Sequence, residues 1–150
     1  MRRILILFML ALFVNISMAQ SVFPYQLSET ISESQSEVTF KVYVFCSDKE
    51  EIKEAACLAG IRCVMFEGIP KTKFNKPLLN EGEQTLISKN RAYFNDLYIE
   101  RFNDYVKKCT MISKFKKSDI KKSTLFEVTI KVIELRKDLE RNNIKTKFGI

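Results

Sequence analysis

The chain has 150 residues, 46% apolar and 29% charged, a balance typical of one globular domain and too short for two independent cores. It contains no histidine, which excludes Ser-His and Cys-His nucleophile pairs, imidazole bases and histidine metal ligands. The formal net charge of +7 makes it a basic protein, so anionic partners enter the list of candidates.

The first nineteen residues have the pattern of a secretory signal peptide. Arg2 and Arg3 precede an uncharged apolar run over 4–14, and Ser17 and Ala19 supply the small side chains of a cleavage site. A transmembrane anchor is the alternative, but the apolar run is about half of the ~20 residues that a spanning helix needs. We therefore predict cleavage after Ala19 and a periplasmic or secreted mature protein that is not a transmembrane protein.

The mature chain begins with a polar segment and then becomes strongly patterned. Residues 20–37 are rich in serine and predict a flexible polar lead-in. Residues 38–46 alternate strictly between apolar and polar side chains, which predicts a half-buried strand. A capping box at Ser47 and Glu50 then predicts a helix that runs to a glycine stop at Gly68.

The remaining elements complete a single α+β domain over residues 38–150. The first helix is apolar nearly all round in its second half, so we expect cover on two sides, and its alanines permit close packing. In chain order, the further predictions are an irregular connection over 71–83, a second helix over 85–103, a strand over 105–112, a lysine-rich turn over 114–122, a strand over 125–133 and a helix over 134–143. The predicted architecture is β-α-(α)-β-β-α, with the helices packed on a three-stranded, mainly antiparallel sheet.

The chain has an even number of cysteines: Cys46, Cys57, Cys63 and Cys109. Because Cys57 and Cys63 share the first predicted helix, their α-carbons lie about 9 Å apart, which is too far for a disulfide. A bridge that involves Cys46 or Cys109 remains open, beside the alternative of ordinary buried thiols. No CxxC pair occurs, so we predict no metal site.

Two patterns on the second predicted helix favour structural roles. Asp96, Glu100 and Asp104 recur every four residues, as on a solvated helix face, whereas carboxylate catalysis needs two acids across a cleft. The aromatic series has the helical spacing of core packing, although a stacking platform is the alternative; it comprises Tyr93, Phe94, Tyr98, Phe102 and Tyr105. We predict no catalytic residues and no cofactor.

A basic run is the candidate binding site. Seven lysines lie within sixteen residues, and Asp119 is the single acid among them. Such a run contacts anionic lipids or polymers, or it guards a sheet edge against aggregation. Lysine rather than arginine disfavours bidentate recognition, so no specific nucleic acid is expected. The residues are Lys107, Lys108, Lys114, Lys116, Lys117, Lys121 and Lys122.

Several segments carry a resemblance to envelope proteins of bacteria. They are residues 37–42, residues 54–56 with Ala59, residues 66–70, residues 126–132, residues 135–140 and the closing residues 147–150. The chain resembles a group of small secreted Bacteroidetes proteins of unknown function. More distantly, it is similar to domains of the flagellar assembly protein T N-terminal type and to LPP20-like envelope lipoproteins. Unlike those lipoproteins, it has no cysteine to be lipidated after the apolar run.

The resemblance implies an envelope-associated module without enzymatic activity. The favoured function is therefore the binding of a protein or of an anionic envelope component. The alternative is a small exported hydrolase that uses carboxylates or a thiol.

Overall fold

A computed structural model describes residues 23–46, 48–113 and 123–145 of the chain. The predicted signal peptide, Ser47 of the capping box, the lysine-rich turn at 114–122 and the tail after Lys145 lie outside the described residues. Within them the chain is α+β, as predicted, with one antiparallel sheet and helices packed against it.

The sheet has four strands in the order β1-β2-β4-β3. They are β1 (Tyr25–Glu33), β2 (Glu37–Phe45), β3 (Val106–Met111) and β4 (Ser123–Lys131). The central pair β2 and β4 is in uninterrupted antiparallel register, with Val42 opposite Phe126 and Phe40 opposite Val128. These side chains are buried to 1% exposure or less, because alternation sends every second residue toward the helices.

The prediction of a flexible lead-in is wrong over residues 25–33. Residues 25–33 form β1 at the sheet edge instead of a flexible segment, so the expected three strands become four. Its polar side chains hide the strand from pattern recognition, because β1 is held by backbone pairing to β2 and most of its residues stay exposed. Ser34 closes the turn by accepting the Glu37 N–H (3.1 Å).

The first helix, α1, covers Ile52–Arg62 and continues as a π-helical turn over Cys63–Glu67. It begins at Ile52, later than the capping box predicts, and Asp48 Oδ1 accepts the Glu50 N–H before it (2.7 Å). Gly60 lets α1 approach β4, since a β-carbon there would lie 3.0 Å from the Ile130 Cδ1. Gly68 ends the helix with a φ of +78°, which confirms the predicted stop.

The second predicted helix is broken into shorter pieces. They are α2 (Glu83–Lys89), α3 (Arg91–Asp96), a π-helical turn (Leu97–Arg101) and α4 (Phe102–Tyr105). The break falls at Asn90, whose φ of −129° and ψ of 42° are not helical. This segment covers the outer side of α1, as expected, and Phe66 meets Phe94 there with ring centroids 6.5 Å apart.

The last helix, α5 (Val132–Arg141), follows β4 directly and buries Leu135 and Leu139. Residues 71–82 form neither helix nor strand, as predicted. Among the described residues, no helix combines the length and the apolar character needed to cross a bilayer.

Candidate functional site: the uncovered face of the sheet

Within residues 23–46, 48–113 and 123–145, the sheet buries one face and leaves the other open. On β2, Val38, Phe40, Val42 and Val44 are fully buried against the helices. Thr39, Lys41, Tyr43 and Phe45 alternate with them on the opposite face and are half-buried or exposed. Antiparallel sheets commonly solvate one face in this way, and that face normally carries polar residues.

One end of the open face is apolar instead. Tyr43 of β2 lies opposite Leu125 of β4, and the N–H of Ile112, the residue after β3, donates to the Leu125 carbonyl (2.8 Å), so the three residues form one row across this end of the sheet. Tyr43 is 37% exposed and Ile112 is 46% exposed. Phe45 lies on the same face beside Tyr43 and is half-buried. We call Tyr43, Phe45, Leu125 and Ile112 the apolar row.

The next positions along the strands carry charges that pair with each other. Lys41 binds Glu29 of β1, and Lys108 Nζ lies 2.8 Å from the Glu127 carboxylate. Thr39 and Thr129 share a hydrogen bond of 2.9 Å further along. The open face therefore changes from apolar at one end to neutral, hydrogen-bonded polar pairs at the other.

The structure describes two of the seven lysines of the predicted site. Lys107 Nζ lies 2.7 Å from the carboxylate of Glu37 on β2, and Lys108 binds Glu127 of the adjacent strand β4, so both charges are balanced by carboxylates of other strands. Lys114, Lys116, Lys117, Lys121 and Lys122 lie outside the described residues. In the sequence, the described residues on either side of them are Ser113, which follows Ile112 of the apolar row, and Ser123, which precedes Leu125 by two positions.

The carboxylates of the second predicted helix lie on its surface. Asp96, Glu100 and Asp104 are all exposed, and Asp96 forms an ion pair with Arg101. A groove of about 480 Å³ lies elsewhere, between β1 and residues 70–72. Its two carboxylates are already bound, since Glu29 pairs with Lys41 and Glu33 accepts the Lys73 N–H (2.9 Å).

The aromatic series packs in the core, as predicted. Phe94, Tyr98, Phe102 and Tyr105 are each at most 7% exposed, and the Phe94 ring meets Tyr93 and Tyr98 edge to face. Burial raises the pKa of Tyr105 to about 12, so its hydroxyl stays protonated at neutral pH. These rings are not available for stacking on a ligand.

Two ion-pair clusters, one half-buried and one built on a buried carboxylate, were not predicted from the sequence. Arg62 binds Glu83 through two hydrogen bonds of 2.7 Å, and the Tyr98 hydroxyl donates to the same carboxylate (3.1 Å). Asp138 of α5 is 5% exposed and accepts the Tyr93 hydroxyl (2.8 Å) and the Arg101 guanidinium (3.2 Å). Both join segments far apart in the chain, a pairing that no local pattern reveals. Their charges are mutually satisfied, which fits a structural role.

The cysteines are free thiols. Cys57 and Cys63 do not bond to each other, as their helical spacing predicts. Burial raises the pKa of the Cys63 thiol, which makes it inert. Across residues 23–46, 48–113 and 123–145, no group of three or more Cys, Asp or Glu side chains could hold a metal ion.

Comparisons with protein-family models, with curated proteins and with solved structures found no match to this chain. The function is therefore inferred from the geometry described above.

Proposed function

We propose that the chain is an exported, non-catalytic envelope module that binds an acidic protein partner through the apolar row. The observation that carries this proposal is the exposure of Tyr43 and Ile112 in one row on the open face of the sheet. An exposed apolar patch that is rimmed by polar residues is typical of a protein interaction site. Export is supported by the signal-peptide pattern of the first nineteen residues.

Charge indicates the chemistry of the partner. On one side of the apolar row, Lys41 and Lys108 are neutralised by Glu29 and Glu127, so they offer little to a ligand. In the sequence, residues 114–122 carry five lysines and one aspartate and lie between Ile112 and Leu125 of the row. An apolar surface flanked in the sequence by lysines is complementary to an apolar surface that carries acidic residues.

The partner is a protein surface rather than a nucleic acid. Phe94 and Tyr98 are buried in the core, and the aromatic residues of the open face, Tyr43 and Phe45, lie beside apolar side chains. The described lysines next to the row, Lys41 and Lys108, are paired with Glu29 and Glu127, so they do not offer the free cationic groove that follows a nucleic-acid backbone. The row runs across β2 and β4 to the residue after β3, and its apolar side chains can be covered by an apolar patch of a protein. Apolar burial supplies the affinity in such a contact, and the lysines accelerate association.

A photo-crosslinking experiment tests this proposal. A photoreactive phenylalanine analogue replaces Tyr43 or Ile112 in the full chain, which is expressed in the cells that make it. The matched control position is Ile99, which is 47% exposed but lies on the π-helical turn away from the sheet. We expect one protein adduct, common to positions 43 and 112 and absent at position 99.

The captured protein is then purified, and its affinity is measured. We expect Ile112→Glu to weaken binding at least ~10-fold, because it places a charge in an apolar contact, and Ile99→Glu to leave binding unchanged. Equal weakening by both variants would contradict the proposal. So would an adduct with a second copy of the chain, or binding to vesicles of anionic phospholipid that Ile112→Glu abolishes.

A further inference from the structure

Two thiols from different elements meet beside the sheet. Cys57 lies on α1 and Cys109 on β3, and the two elements pack against each other. Cys109 Sγ lies 3.8 Å from the Lys53 carbonyl oxygen. In an α-helix that oxygen accepts the N–H of the residue four positions later, which here is Cys57. Cys109 therefore reaches the turn of α1 that carries Cys57, and the two thiols are close enough for each to shift the pKa of the other.

The pair differs from the remaining cysteines in its access to solvent. Cys109 is partly exposed at the sheet edge, whereas Cys57 behind it is 4% exposed. Cys63 is fully buried, and Cys46 is 2% exposed with its Sγ on the Asp48 carbonyl (3.4 Å). Among the described residues, Cys57 and Cys109 are thus a thiol pair with one member open to an outside reagent and a second poised behind it.

We propose that Cys57 and Cys109 are a modification site, at which an external disulfide oxidises the two thiols to an intramolecular Cys57–Cys109 bond. The oxidant is a small-molecule disulfide or the disulfide of an exported thiol oxidoreductase, the reagents expected in an oxidising compartment. This site is separate from the apolar row; it rests on the proposed export but not on the proposed partner.

The reaction proceeds in two exchanges. Cys109 gives up its proton, and its sulfur attacks one sulfur of the external disulfide, so that a mixed disulfide forms and one thiolate leaves. Cys57 then gives up its proton, and its sulfur attacks the Cys109 sulfur, which breaks the mixed disulfide and releases the second thiolate. The two protons end on the two released thiols. The protein is oxidised by two electrons, and the external disulfide is reduced by two.

The electrostatics of the pair affect the two exchanges differently. In the reduced protein, the interaction with Cys109 lowers the pKa of the Cys57 thiol, burial opposes this effect, and the nearby Lys53 ammonium lowers the pKa further. The Cys109 proton is lost in the first exchange, so in the second exchange Lys53 is the charged group that still favours the Cys57 thiolate. The interaction with Cys57 and burial raise the pKa of Cys109, so we expect the first exchange, which needs the Cys109 thiolate, to be the slower step.

Oxidised glutathione and intact-mass measurement test the site on the folded full chain. We expect the wild-type protein to lose the mass of two hydrogen atoms, and peptide mapping to find a link between the Cys57 and Cys109 peptides. Cys57→Ser is expected to stop at a glutathione adduct on Cys109, because no resolving thiol remains. Cys46→Ser and Cys63→Ser are matched controls that retain the Cys57–Cys109 link.

Other outcomes would overturn the proposal. One is a wild-type protein whose Cys109 accumulates a stable glutathione adduct without loss of the second glutathione. Another is a link that maps to Cys46 or Cys63 instead. A third is a protein that stays fully reduced while its circular dichroism spectrum confirms that it is folded. Peptide mapping of the wild type decides between these outcomes even where a serine variant fails to fold.

Discussion

Gly68 shows how a single residue fixes the end of an element. Its φ of +78° lies in the region that L side chains avoid, and its N–H donates to the Cys63 carbonyl (2.8 Å) to close the π-helical turn. A β-carbon at this position would lie 2.5 Å from the Asn75 carbonyl oxygen. The sequence predicted this glycine as a helix stop from the proline two residues later, but the close approach of Asn75 was beyond any local pattern.

We expect Gly68→Ala to destabilise the protein by about 2 kcal/mol or more. Alanine disfavours the positive φ of this position, and its β-carbon would overlap the Asn75 carbonyl oxygen. Gly82→Ala is the matched control, since Gly82 has a φ of −63° and no neighbour within 4 Å of the added carbon. Urea unfolding measures both variants. Equal stability of the two would contradict the assigned role of Gly68.

Asp138 holds a position that a polar residue occupies only when it is well paired. It is the acceptor that links Tyr93 and Arg101 to α5, and it is buried. We expect Asp138→Asn to lower the free energy of unfolding by about 2 kcal/mol, because Arg101 loses a buried counter-charge while remaining partly solvated. Asp96→Asn, at the exposed carboxylate bound to the same arginine, should cost less than ~0.5 kcal/mol. Thermal unfolding of both variants checks this contrast, which an equal loss would contradict.

At the scale of the element, the central strands were predictable and the edge was not. β2 and β4 were recognised because burial of one face forces strict alternation, and β3 because its β-branched and apolar residues follow a helix. β1 was missed because this edge strand is held by backbone pairing to β2. Its residues Ser28, Glu29 and Ser32 stay exposed, so the sequence shows no alternation of apolar and polar side chains there. The break at Asn90 was missed because the apolar spacing continues through it.

The apolar row was equally hidden from the sequence. Tyr43 and Phe45 lie on the face of β2 that the alternation assigns to polar residues. They become part of an apolar patch only because the strand register places Leu125 and Ile112 beside Tyr43. The lysine run was predicted as a binding site from its composition. The two of its lysines that the structure describes, Lys107 and Lys108, each form an ion pair with a carboxylate of another strand.

The contact between α1 and β3 leads to a prediction about stability. Oxidation of Cys57 and Cys109 would close a loop of roughly 50 residues, which restricts the unfolded chain and stabilises the fold by about 4 kcal/mol in the chain-entropy account. Urea unfolding of the oxidised protein, with and without a dithiol reductant, measures the difference. The Cys57→Ser variant should show no dependence on the reductant. A lower midpoint for the oxidised wild type would mean that the bond distorts the packing of α1 on β3.

At the scale of the whole molecule, we propose that the protein is exported from the cytoplasm. The signal-peptide pattern predicts a mature chain that begins at Gln20, five residues before β1. Mass spectrometry of the protein from envelope and culture fractions should therefore find Gln20 as the first residue. Retention of Met1 on the folded protein in the cytosolic fraction would contradict the proposed export.

The molecule as a whole combines a well-packed α+β layer with one open sheet face. Its buried ionic groups are satisfied by partners such as the Arg62–Glu83 pair, and its exposed carboxylates on the helical side are scattered. Among the residues that the structure describes, the apolar row is the exposed apolar feature on the open face of the sheet. Binding there should depend on apolar contact first and on charge second, so affinity should fall only modestly with added salt.

The most direct test compares the affinities of Ile112→Glu and Ile99→Glu for the protein crosslinked at position 43, measured by calorimetry at two salt concentrations. The account predicts at least ~10-fold weaker binding for Ile112→Glu, wild-type binding for Ile99→Glu, and a small salt dependence for both. Wild-type affinity in the Ile112→Glu variant would contradict the assignment of the open sheet face as the binding surface.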